Sequence, residues 1–197
     1  MALWKNGEKV TIKARRNDVY LLFNGQSVNS PYVSTISVGN CYSPSDIWVG
    51  MNRPEDYCLK ELPSQSKKIF RKYFQHLVSD AYLADIAQPR NGIIDIFRLR
   101  SCDVYFVWLH HSLGVALHVA VWMGFKRIHF VGLSPNGYEH LMERSFMHEF
   151  TRLSGEYGID CINCTYKSAL NGFMDFSPLD EALDISKELL TNTHIKE

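Results

Sequence analysis

Residues 103–134 read DVYFVWLHHSLGVALHVAVWMGFKRIHFVGLS. An apolar run over 103–109 gives way to His110-His111-Ser112, then to a helix-like stretch ending at Met123, then to Gly124 and a second apolar run over 127–133. In order these are a strand, a polar helix start with Ser112 as cap, a helix, a glycine stop and a strand, the order of a β-α-β unit. The first run is nearly all apolar, as expected of a strand covered on both faces in a parallel sheet.

Outward from this unit the same order repeats. A helix is expected over 138–157, with Gly158 as its stop and a strand over 159–164, and Pro178 opens a last helix reaching about residue 190. Upstream, the short apolar runs 18–23 (DVYLLF), 34–38 and 47–51 (IWVGM) end at Asn24-Gly25, Gly39-Asn40 and Asn52. Residues 92–99 (GIIDIFRL) are also strand-like. Over 64–83 the spacing of Ile69, Tyr73, Phe74, Leu77 and Tyr82, with Lys67, Lys68, Arg71 and Lys72 elsewhere, predicts an amphipathic helix with a solvated basic face. The expected fold is α/β: a single doubly wound, mostly parallel sheet with helices on both faces, Rossmann-like, over 18–197, after an N-terminal extension over 1–17.

The chain has 197 residues, of which 46% are hydrophobic, enough for one continuous core. Lys plus Arg and Asp plus Glu balance at 21 each, so the charge gives a nucleic acid acceptor or an anionic membrane no support. No apolar run is long enough for a transmembrane segment and the first residues lack a signal-peptide core, which predicts a cytoplasmic protein. Five scattered cysteines suit reduced thiols. Cys161 and Cys164 form a C-x-x-C, but without a second ligand pair at zinc spacing.

Crossovers between parallel strands place the loops that leave them along one sheet edge, and ligands bind in the crevice there. Asn24, Asn40, Asn52, Ser112 and Ser134 therefore share one expected rim. Neutral amides and hydroxyls suit a base edge, a ribose or sugar hydroxyls, and free N–H groups at a helix start suit phosphate. The plainer reading of each Asn or Ser is a turn or cap that serves only the fold.

With Asn24-Gly25-Gln26-Ser27, Val38-Gly39-Asn40, Gly50-Met51-Asn52, Met123 to Lys126 (M-G-F-K), Gly132-Leu133-Ser134 and His140 in this order, the chain resembles the bacterial sialyltransferases of glycosyltransferase family 42. It is more distantly similar to the pterin-diphosphokinase-type Rossmann proteins. The similarity spans most of residues 18–175. It implies a donor nucleotide held by Asn24, Gly25, Ser27, Asn40, Asn52, Ser112, Gly132, Ser134 and Tyr138, with His140 as general base. His110, His111 and Ser168 are additional candidates. The chain departs from the family at Gln26 (proline there), Leu109 (arginine) and Ser134 (acid), and its lid segment is reduced to residues 135–139.

The resemblance implies a metal-independent, inverting transfer of a sugar from a nucleotide-sugar donor to a hydroxyl acceptor on a glycan, a lipid-linked sugar or a modified nucleobase. No cofactor or metal ligand is expected. His110, His111, His140 and His148 lack the i, i+4 pair of a zinc helix. The shortened lid leaves two alternatives open, a nucleotide or nucleotide-sugar hydrolase or pyrophosphoryl-transfer enzyme and a non-catalytic nucleotide-binding module, and water exclusion then falls to a neighbouring subunit of a homo-oligomer or to the bound acceptor.

Overall fold

The computed structural model describes residues 2–14, 16–62, 64–87, 97, 105–106, 112–133, 141–168, 170–172 and 174–193. They form a mixed α/β fold around one large, mostly parallel sheet. Its strands are β1 (Ala2–Lys5), β2 (Glu8–Thr11), β3 (Asp18–Leu22), β4 (Ser34–Val38), β5 (Ile47–Val49), β6 (Lys67–Arg71), β7 (Tyr82–Ala84), β10 (Arg127–Val131), β11 (Asp160–Asn163) and β12 (Asp175–Phe176). They lie in the order β12-β11-β10-β3-β4-β5-β6-β7-β1-β2. Every pairing from β12 to β7 is parallel, and β1 and β2 add an antiparallel hairpin at the edge, joined through Trp4 opposite Leu83. The hairpin turns on Asn6-Gly7, both at positive φ, the chemistry of a two-residue β-turn.

β3 is buried along its whole length because both its faces are covered. Val19, Leu21 and Phe23 belong to one core, shared with the helices α1 (Ser112–Met123) and α2 (Leu141–Glu156). Tyr20 and Leu22 point the other way, into a smaller core with Val131 and Ala182 of a third helix, α3 (Leu179–Thr193). Beyond α3 that second face is covered over β5 to β7 by an irregular segment, whose Tyr57 and Leu62 close on Trp48 and Phe70. Among the described residues helices thus stand on both faces of the sheet, two on one and one on the other.

α1 is apolar all round and buried from Leu113 to Trp122, as such a helix must be. Its end is set by Gly124, at φ +95°, where Gly124 N–H bonds Val121 O and Phe125 N–H bonds Ala120 O. The same pair of bonds recurs at the end of α2, from Gly158 N–H to Gly155 O and from Ile159 N–H to Ser154 O. Both are Schellman stops, and they return the chain into β10 and β11.

Two expectations are corrected. Residues 64–83 form β6, a short 3-10 turn over Lys72–Phe74 and β7, not one helix. Ile69 and Phe70 are adjacent and buried in opposite cores, a strand pattern, whereas Tyr73 and Leu77 of the supposed helical face are exposed. The run 103–109 does contain a strand, β9 (Tyr105–Phe106), but it pairs with β8 (Ile86–Ala87) in a separate two-stranded sheet. The unit that is a crossover between neighbours is therefore β10-α2-β11. Of the run 92–99, expected as a strand, only Phe97 lies within the described residues, and it is helical, buried against Phe150 and Tyr157.

Candidate functional site

Because β10, β3, β4 and β5 are successive parallel neighbours, Gly132, Asn24, Asn40 and Asn52 all leave the sheet at one edge. Chain order runs outward from β3 through β4 to β7 on one side, and from β10 through β11 and β12 on the other. The order reverses between β3 and β10, where open parallel sheets hold their ligands.

At that reversal the two strand exits are locked together. Phe23 N–H extends the ladder to Val131 O at 2.9 Å, and Gln26 N–H returns to Phe23 O at 3.0 Å around Asn24 and Gly25, both at positive φ. The Asn24 amide Nδ2 donates to Gly132 O at 2.7 Å. Gly132 itself has φ +84°, and a Cβ there would lie 2.2 Å from Gln26 Cγ and 2.4 Å from Phe23 O. Only glycine lets the β3 exit loop cross the β10 exit this closely. Asn24 thus serves the fold through its NH₂. Gly25 N–H and the exposed Ser27 hydroxyl bond no other described residue.

One strand over, Gly39 N–H bonds Val49 O at 2.9 Å, and Gly39 O accepts from the Trp48 indole at 3.0 Å. α1 begins on Ser112, whose hydroxyl oxygen accepts the Met51 N–H at 3.1 Å and would lie 3.9 Å from a Cβ on Gly39. Ser112 therefore docks the start of α1 onto the exits of β4 and β5. Asn40 and Asn52 are exposed. Asn40 Oδ1 accepts a long bond from Tyr42 O–H, 3.4 Å, and Asn52 N–H bonds the Tyr57 hydroxyl at 2.9 Å.

The structure thus brings Asn24, Gly25 and Ser27 beside Gly132, and Asn40 and Asn52 beside Ser112, along one rim. Ser168 lies past the β11 exit, buried, with its hydroxyl oxygen accepting Leu170 N–H at 3.1 Å in a local turn. His110, His111, Ser134, Tyr138 and His140 lie outside the described residues.

No family model, curated protein or solved structure matches the chain.

Sequence reasoning missed a fourth strand that ends in asparagine. Asn163, fully buried at the end of β11, donates to Thr165 O at 3.0 Å and to Asn171 Oδ1 at 2.6 Å, and its own Oδ1 accepts Thr165 N–H at 3.0 Å. The Thr165 hydroxyl oxygen in turn accepts Gly132 N–H at 2.7 Å. The β11 exit therefore also holds Gly132, through its N–H. The C-I-N at 161–163 carried the same signal as the other strand-end asparagines.

A second polar group lies under α3. Arg127 forks both oxygens of Asp18, His129 stacks on Tyr20 with ring centres 4.1 Å apart, and the Tyr20 hydroxyl meets Ser186 Oγ at 3.0 Å. Burial raises the Asp18 carboxyl, but its charged neighbours hold it down at about 2. The His129 Nε2 is 3.7 Å away, too far for a hydrogen bond, so the Arg127 fork is the stronger cause. Burial also keeps His129 below its ordinary value and pushes the Cys164 thiol, 3.8 Å from His129 Nδ1, up to about 12. A neutral imidazole beside a protonated, covered thiol is a packing arrangement, since a nucleophile needs the thiolate.

Cys161 faces the α1 and α2 core while Cys164 packs against the α3 core, so the C-x-x-C points to opposite faces and cannot close on itself. Among the described residues, no three His, Cys, Asp or Glu side chains are grouped to hold a metal ion. None of the described helices is long and apolar enough to cross a membrane.

Proposed function

We propose that the sheet is a doubly wound, Rossmann-like one, and that its rim binds the nucleotide of a sugar donor for metal-independent, inverting glycosyl transfer. The observation that carries this reading is the meeting of the Asn24 to Ser27 loop with Gly132 where the strand order reverses. Gly25 and Ser27 are exposed there and offer an N–H and a hydroxyl as two small donors at the strand exits. The start of α1, set against Gly39 and Met51, supplies a helix N-terminus for phosphate one strand over. The resemblance to the sialyltransferases supports the same assignment.

In this reading His140 takes the proton of the acceptor hydroxyl as its oxygen bonds to the anomeric carbon, and the bond from that carbon to the nucleotide phosphate breaks. Tyr138 and the α1 start stabilise the departing phosphate. The short segment 135–139 favours one second reading, hydrolysis of the donor, because an open site admits water as acceptor.

A metal-free assay of candidate donors with and without acceptors tests both. Transfer that survives a chelator, with His140→Ala losing turnover at least a hundredfold while donor affinity stays within about threefold, is the expected result. Free sugar released without acceptor replaces transfer by hydrolysis. Unchanged turnover in His140→Ala removes that residue from the reaction.

A further inference from the structure

At the opposite edge of the sheet, where β4, β5 and β6 begin, the chain forms an open cavity of about 160 Å³. Lys13, Arg16 and Lys67 line it together with a single carboxylate, Asp46, over a floor that includes Met123 and Phe125 at the end of α1. Asp46 is already engaged. Its Oδ2 accepts the Thr35 N–H at 2.8 Å and the Thr35 hydroxyl at 3.4 Å, which turns it toward β4. Arg16 donates one guanidinium nitrogen to Val33 O, which anchors the group at the cavity wall. Among the described residues, neither Lys13 nor Lys67 has an ion-pair partner. Two positive charges are therefore in excess around one small concavity.

We infer that this cavity is an anion site for a small phosphomonoester, its phosphate held by Lys13, Arg16 and Lys67 and its short carbon part lying on the Met123 and Phe125 floor. Three cations around one cavity suit a doubly charged group better than a singly charged carboxylate, and an anchored guanidinium edge matches two phosphate oxygens at once. The small volume suits a compact ligand better than a whole nucleotide, since pockets for drug-sized ligands run from about 300 Å³ upward. The site stands at the starts of strands whose ends form the rim, so it is separate from the proposed donor site and does not depend on it.

The test is a titration of the full chain with inorganic phosphate, followed by amide NMR at constant ionic strength, with chloride as the control anion. The expected result is one saturable site with shifts centred on Lys13, Thr35, Asp46 and Lys67, and affinity at least tenfold weaker in the Lys13→Gln/Lys67→Gln double variant. Both lysines are exposed, so the double variant should melt like the parent in the absence of phosphate. No saturation, equal affinity in the double variant, the same shifts with chloride, or shifts confined to the rim would each overturn the assignment.

Discussion

A Cβ on Gly132 would sit 2.2 Å from Gln26 Cγ and 2.4 Å from the Phe23 carbonyl oxygen, on a backbone with φ +84°. The side chain of Gln26 can swing away, but the Phe23 carbonyl belongs to the β3 exit and cannot. Gly132→Ala should therefore destabilise the fold by about 2 kcal/mol or more in urea melts. Pairing it with Gln26→Ala should restore only part of the loss, and full restoration would mean that the backbone contact is not limiting. The strand-end asparagines were visible in sequence, but their tasks were not. Whether an Asn ties two exits together, as Asn24 does, or faces solvent, as Asn40 and Asn52 do, depends on which strands become neighbours. Asn163 carried the same local pattern, yet its bonds reach Thr165 and Asn171, a loop that folds back only in three dimensions.

His118 adds a pH dependence at the same scale. It is fully buried in α1 against Trp122, and burial pushes its imidazole down to about 3. Above its ordinary value near 6.5 it is neutral in both states and pH has no effect through it. Between about 6.5 and 3 the unfolded chain takes up a proton that the folded chain refuses, so stability falls as pH falls, by about 1.4 kcal/mol per pH unit. His129 acts in the same direction, and Asp18 adds a loss only when pH falls from its ordinary 3.8 toward 2. In urea melts from pH 7.5 to 5, His118→Phe should flatten the slope by one proton's worth, whatever its effect at neutral pH. Parallel curves for variant and parent would contradict this.

At the scale of elements, α1 is held at both ends. Its last turn closes on Gly124, and its first residue reaches the β5 exit through Ser112 and Met51 N–H. Met51 is buried, so Ser112→Ala leaves its N–H without this acceptor and should cost about 1–3 kcal/mol, with Ser112→Thr recovering most of it. Equal stability of Ser112→Ala and the parent would show that the bond does not dock the helix. Helix stops were the most legible elements, because a glycine at positive φ after an apolar stretch acts locally. The segment 64–83 was not legible in the same way. Its apolar residues fit helical spacing, and what decides for β6 is the two-sided burial of Ile69 and Phe70 between β5 and β7. β9 was legible as a strand but not its sheet, since strand pairing is set by neighbours distant in sequence.

For the whole molecule, the parallel sheet and the gathering of strand exits at one edge followed from runs too apolar for a one-faced strand. The number of strands did not, because β1, β2, β6, β7 and β12 are short or polar and take their place only by pairing. The two edges also differ chemically. Asn24, Asn40 and Asn52 follow the exits of β3, β4 and β5, and Lys13, Arg16 and Lys67 gather at the starts of β4 to β6. The proposed function puts the nucleotide of a sugar donor on the exit edge, at the reversal between β3 and β10. The most direct measurement is an amide NMR titration with CMP-, UDP-, GDP- and dTDP-sugars without metal. That placement predicts saturable shifts at Gly25, Ser27, Gly39, Asn40 and Gly132 with at least one of them. It is contradicted if none saturates, or if every shift falls at the strand starts around Lys13 and Lys67.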